Sequence, residues 1–184
     1  MKVDILAIGA HPDDVELGCG GTIAKLISEG KKVAIIDLTE GELGTRGTNE
    51  TRAQEAATAS EILGISAREN LKMKDGFIIN SQEYQFRIIE MIRKYQPEIV
   101  LCNAIDDRHP DHAKAAKLVS DACFLSGLVK IKTDYEGESQ KFWRPKQVFH
   151  YIQWKNIEPD FVMDISGFLD KKIEACLAYK TQFY

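Results

Sequence analysis

Short apolar runs rich in β-branched residues alternate with helix-patterned segments along this chain, and no other feature restricts its possible folds so strongly. Residues 3–8, 33–38 and 99–102 are such runs. They are apolar on both faces, as strands buried inside a parallel sheet are. Helical patterns cover 21–29, 52–63 and 83–95, stopped by Gly30, Gly64 and the approach of Pro97. The order reads β-α-β-α-β-α-β. Parallel neighbours need a crossover helix, and right-handed crossovers put helices on both faces. The pattern therefore predicts a Rossmann-like, doubly wound, mostly parallel α/β sheet. Beyond the fourth strand it predicts a loop over 103–110, a helix over 111–124 and an irregular polar stretch over 130–146. Strands over 148–154 and 161–164 and a final helix over 169–179 complete the expectation.

The 184 residues suit one domain, taken as 1–184. A formal net charge of -4, with no local Lys/Arg cluster, argues against nucleic acid or an anionic membrane as partner. Cys19, Cys102, Cys123 and Cys176 are scattered and form no C-x-x-C pair, which suggests reduced thiols. The N-terminal apolar run is too short for a signal peptide or a membrane span, so the cytoplasm is the expected compartment.

In an open α/β sheet, ligands bind beyond the carboxyl ends of the strands. Two loops there are rich in histidine and aspartate. Ala10-His11-Pro12-Asp13-Asp14 follows the first strand, and Asp106-Asp107-Arg108-His109-Pro110-Asp111-His112 follows the fourth. A catalytic zinc takes imidazole nitrogens and a carboxylate oxygen and keeps one position open for water. A second, unligated carboxylate can take a proton from that water, so the Asp13-Asp14 doublet suits both tasks. Either His109 or His112 can bind metal while the other stabilises an oxyanion and protonates a leaving amine. The plainer reading of Asp13, Asp14 and Asp111 is that they cap helices. His11-Pro12-Asp13 with a distant histidine also fits the facial triad of non-haem iron oxygenases, but strand and helix alternation argues against it. A non-enzymatic nucleotide or anion module is a third reading. It is weakened because Gly18-Cys19-Gly20-Gly21 lies within a helix pattern and not in a phosphate loop. His150 sits in an apolar strand pattern away from both loops.

The segments Ala10-His11-Pro12-Asp13-Asp14-Val15-Glu16, Gly20-Gly21-Thr22, Asp37-Leu38-Thr39-Glu40-Gly41-Glu42, the stretch around Arg52, and His109-Pro110-Asp111-His112 together resemble the PIG-L/LmbE family of zinc-dependent N-acetylglucosaminyl deacetylases. The resemblance covers essentially the whole chain. Among its branches the chain looks most similar to the bacillithiol-biosynthesis deacetylases, which act on N-acetylglucosaminyl-malate. The resemblance implies one zinc ion (Zn2+) per chain on His11, Asp14 and His112, with Asp13 as general base. It makes His109 the group that stabilises the oxyanion and protonates the amine, with Asp111 beside it to orient that imidazole. Arg52 is expected to contact the amino-sugar substrate, and Glu16, Thr39 and Glu40 to shape the pocket. A homo-oligomer, trimer or hexamer, is expected, for which Phe142, Trp143 and Trp154 are candidate interface residues. Family members continue past the position of Tyr184, so the resemblance implies a C-terminal segment beyond this chain that helps close the pocket.

Overall fold

A computed structural model describes residues 1–183; Tyr184 lies outside the described residues. Five parallel strands form the main sheet: β1 (Ile5–Gly9), β2 (Val33–Thr39), β3 (Ala67–Met73), β4 (Ile99–Asn103) and β7 (Gln147–Tyr151), in the order β3-β2-β1-β4-β7. β5 (Asp134–Tyr135) and β6 (Glu138–Ser139) make a separate antiparallel pair inside the stretch expected to be irregular. The helices are α1 (Asp14–Ser28), α2 (Asn49–Leu63), α3 (Gln82–Tyr95), α4 (Pro110–Leu125) and α5 (Leu169–Leu177).

The period of two along each strand sorts the core into two layers. Leu6, Ile8, Ala34, Ile36, Val100 and Cys102 face α3 and α4, joined by Ile88, Ile92, Leu118 and Val119. Ile5, Ala7, Val33 and Ile35 face α1, with Val15 and Ile23. A third cluster packs α1, α2 and α5 through Ala24, Ala59, Leu63, Ala175 and Tyr179. β1 pairs with β2 from Ile5 opposite Val33 and with β4 from Ile5 opposite Ile99. The central strand is thereby buried on both faces and both edges, and its carboxyl end lies between the ends of its two neighbours.

Three expectations change. The first helix starts at Asp14 and not at residue 21, with a kink at Cys19. Gly18 and Gly21 are inside it for steric reasons: a Cβ on Gly18 would lie 2.2 Å from the Tyr151 ring, and one on Gly21 2.6 Å from Ile165. Those glycines let β7 and the segment after it press against the helix. Residues 161–164 form no strand, and Phe161, Val162 and Met163 are exposed. α2 begins at Asn49, three residues before the expected start, because Thr48 and Thr51 close a reciprocal capping box.

Candidate active site

All five parallel strands deliver residues to one edge. The loop after β1 is held from both sides: the Ala10 N–H donates to Asn103 Oδ1 at 2.9 Å, and the Ala10 carbonyl accepts from the Thr39 N–H and hydroxyl. From this clamped turn project His11, Asp13 and Asp14. The capping reading of the doublet does not hold. Asp13 occupies the N-cap position but its side chain caps nothing, and its backbone sits at φ 113°, in a region a non-glycine residue rarely adopts. Such a conformation costs roughly 1–3 kcal/mol and persists only where surrounding contacts impose it. Here Arg52 imposes it, with Nη1 donating to the Pro12 carbonyl at 2.9 Å and to Asp13 Oδ2 at 3.4 Å. Arg52 is buried, and Gly41 and Gly44 close over it: a Cβ on either would come within 3.1 or 3.2 Å of the guanidinium. Burial and the neighbouring Asp14 push the Asp13 carboxyl up to about 8, with Arg52 opposing.

Asp14 lies between two imidazoles. His11 Nδ1 is 3.3 Å from Asp14 Oδ2, and His112 Nε2 is 3.2 Å from Asp14 Oδ1. Each ring turns its other nitrogen to a further carboxylate. His11 Nε2 is 2.9 Å from Asp75 Oδ1, while His112 Nδ1 is 3.2 Å from Asp107 Oδ2, misaligned for a hydrogen bond and otherwise without a partner. His109 completes the group, its ring centroid 4.6 Å from that of His11 and 5.0 Å from that of His112. One nitrogen from each of the three histidines falls within 4.8 Å of the others.

The electrostatics are those of a cation site. Burial opposes a charge on His11, yet hydrogen bonds with Asp111, Asp14 and Asp75 outweigh it and raise its pKa to about 12. Burial opposes a charge on His112 as well, but Asp14 and the nearby Asp107 raise its pKa. Burial works against ionisation of Asp14 too, but the two histidines hold its carboxyl well below the usual range. Carboxylates that force protons onto two buried imidazoles form a site that favours positive charge. The donor set of two imidazoles and one carboxylate, each imidazole backed by a second carboxylate, fits a zinc-type ion.

The other expected residues fall in different places. Asp111 does not orient His109 through its carboxylate. That carboxylate accepts the N–H groups of Gly76 and Ile78 and comes 3.5 Å from His11 Nε2; only the Asp111 backbone N–H meets His109, donating to Nδ1 at 3.2 Å. The physical reason is that His109 is itself the N-cap of α4 and takes the Asp111 backbone N–H, while the Asp111 carboxylate, in the same first turn, is held by the N–H groups after β3. Glu16 does not line the pocket either. It is fully buried in the first turn of α1, where Arg68 Nη1 and the Tyr179 hydroxyl donate to its Oε1. Thr39 braces Ala10, and Glu40 accepts from Asn49. His150 Nδ1 lies 2.8 Å from the Asn103 carbonyl, joining β7 to β4 outside the His/Asp cluster. Trp143 packs against the core and donates to the Pro97 carbonyl, whereas Phe142 and Trp154 are exposed. A cavity of about 610 Å³ lies on the α1 side of the sheet, among Thr22, Leu101, Phe149 and Ile165. It is apolar and lacks the cluster's histidines and carboxylates.

Asp75, Asn103, Asp107 and Gln153 were missed. Asp75 follows an edge strand of mixed polarity, and Gln153 follows the strand farthest from the first loop. Asp107 stood in a quoted loop, but nothing in sequence spacing aims it at His112.

The Glu16 network supports a stability prediction. Arg68 donates bidentately to Asp37 at 2.7 and 2.8 Å and to Glu16 at 2.6 Å. Arg68→Met strands both buried carboxylates without a countercharge, a loss of about 3–5 kcal/mol. The thermal midpoint should drop by about 10 °C for a chain of this size. An unchanged midpoint by circular dichroism would refute the assignment.

A family profile described as PIG-L: GlcNAc-PI de-N-acetylase matches residues 6–123. The chain is 30% identical over 190 residues to the diacetylchitobiose deacetylase of Thermococcus kodakarensis, covering 97% of this chain and 70% of that one. It is 29% identical to a 4-oxalmesaconate hydratase of Pseudomonas putida, covering 94% and 72%. The crystal structure of conserved protein TT1542 from Thermus thermophilus superposes with a TM-score of 0.92 at 40% identity, over 98% of this chain and 80% of that one. Among the described residues no helix is long and apolar enough to cross a membrane. The α/β sheet, the loop pair at its carboxyl edge and the profile match agree: the chain belongs to the PIG-L de-N-acetylase family and is by class an amide hydrolase.

Proposed function

We propose that the chain hydrolyses the acetamide of an N-acetylglucosamine conjugate, with one zinc ion held by His11, Asp14 and His112. One observation carries the reading. The inner nitrogens of His11 and His112 meet the two oxygens of Asp14 at 3.3 and 3.2 Å, while their outer nitrogens face Asp75 and Asp107. Outer carboxylates of this kind set which nitrogen carries the proton and leave the inner lone pair for a metal. The oxygenase reading loses its basis, because it needs Asp13 as the ligand and Asp13 turns to Arg52.

When bound, the ion supplies Lewis acidity toward the amide oxygen and lowers the pKa of water. The chain's own groups do the rest. Asp13, beside the donor set but outside it, accepts a proton from the attacking water. Arg52 keeps that carboxylate in place and is the candidate contact for the sugar. His109 accepts the Asp111 N–H at Nδ1, so the proton of its neutral ring is on Nε2. From there it donates to the carbonyl oxygen as negative charge develops, then hands that proton to the departing nitrogen as the proton Asp13 took from water is returned to the ring, so that no imidazolate is left. The C–N bond breaks, giving acetate and a free amine.

The test uses protein loaded with one equivalent of Zn2+ and offered diacetylchitobiose or N-acetylglucosaminyl-malate. Acetate release is expected, abolished by a chelator and restored by Zn2+. Stoichiometric metal without acetate release from either compound would overturn the proposal, and water addition to a conjugated diacid would then be the activity to assay.

A further inference from the structure

The hydrogen bonds around Asp14 nearly exhaust its carboxylate. Its Oδ2 accepts the His11 backbone N–H at 2.9 Å and the Asn103 side-chain amide at 3.1 Å. Its Oδ1 accepts the Gln153 amide at 2.8 Å. Each carboxylate oxygen offers two lone pairs, so Oδ2 is full and a single lone pair remains, on Oδ1. That oxygen is the one facing His112 Nε2.

The donors come from two further strands. Asn103 is the last residue of β4, and its side chain is fixed at both ends, with Oδ1 on the Ala10 N–H and Nδ2 on Asp14. Gln153 lies two residues past β7, and its Oε1 is buried with no partner. An amide buried with an unmade bond is costly to keep, so the bond that its other end makes to Asp14 accounts for its place here.

We propose that Gln153 and Asn103 are positioning residues that restrict Asp14 to one oxygen, Oδ1, in any divalent cation held with His11 and His112. Gln153 shares that oxygen and sets its direction; Asn103 withholds the other. This rests on the His11/Asp14/His112 reading of the centre. It explains why the site recruits the segment after β7, an edge strand of the sheet: that segment sets the direction of the ligand oxygen.

Co2+ substitution tests it, because the intensity of the visible bands of Co2+ reports coordination number and does not depend on turnover. Wild-type protein should bind one Co2+ with the strong absorption of a low-coordinate site. Gln153→Met keeps the side chain's length and removes its donor. It should weaken Co2+ binding by about 10- to 100-fold, as loss of an outer-shell partner does, whereas Asn103→Leu, which takes a donor from Oδ2, should reduce band intensity as Asp14 becomes free to chelate. If Gln153→Met does not fold by circular dichroism, Gln153→Leu gives the same test, since it also loses the donor and adds no ligand. Unchanged affinity and spectrum in a folded variant would overturn the inference. Absence of stoichiometric Co2+ binding in the wild type would instead overturn the metal-centre reading beneath it.

Discussion

Asp13→Ala is expected to lower turnover by about 10²- to 10⁴-fold, the usual contribution of a positioned general base, while zinc content stays at one per chain. The reason lies in how the loop separates two adjacent carboxylates. Asp14 points inward to both histidines; Asp13, at φ 113°, points to Arg52. A side chain outside the donor set can be removed without opening it. Truncation to alanine also leaves the Arg52 bond to the Pro12 carbonyl in place, so the loop keeps its anchor. Steady-state rates and elemental analysis of the same sample check this. A full rate would show that Asp13 is not the base, and loss of zinc that the base and ligand roles of the doublet are reversed.

Asp14→Ala should have the opposite signature, with zinc affinity lowered by well over the roughly 10- to 100-fold typical of outer-shell partners and activity lost with the metal. Asp14 meets both inner imidazole nitrogens, and it is also the acceptor for Asn103 and Gln153. Its removal leaves two histidines with no shared anion and two amides with no acceptor. Competition with a chromophoric chelator measures the change. Retention of wild-type affinity would place the metal elsewhere, for instance on the His11, Asp75 and Asp111 group, whose ligand atoms also fall within 4.8 Å of one another.

The buried strands were legible because residues apolar on both faces have few alternatives, and the helices with clear stops were found close to their true ends. The edge strand β3 was not located, since only Leu71 and Met73 are buried in it and its charges serve neighbours: Arg68 pairs with Asp37, and Glu69 with Lys94. The start of α1 was hidden by Gly18-Cys19-Gly20-Gly21, which reads as a helix opening, whereas Gly18 and Gly21 are packing gaps for Tyr151 and Ile165. Residues 161–164 carry a strand-like apolar pattern yet stay exposed, because apolar character alone does not supply a pairing edge.

For the site, the sequence by itself determined that His11, Asp13, Asp14, His109 and His112 lie just beyond strands at one edge of a parallel sheet, because strand order and side-chain type are local properties. The tertiary structure decided the rest. Only chain crossing brings Asp75 from β3 and Gln153 from β7 against His11 and Asp14, 64 and 139 residues away in sequence. Only the left-handed turn at Asp13 separates two like carboxylates into one that faces the histidines and one that faces Arg52. Hydrogen bonds fix direction, and direction depends on partners that a linear reading does not place.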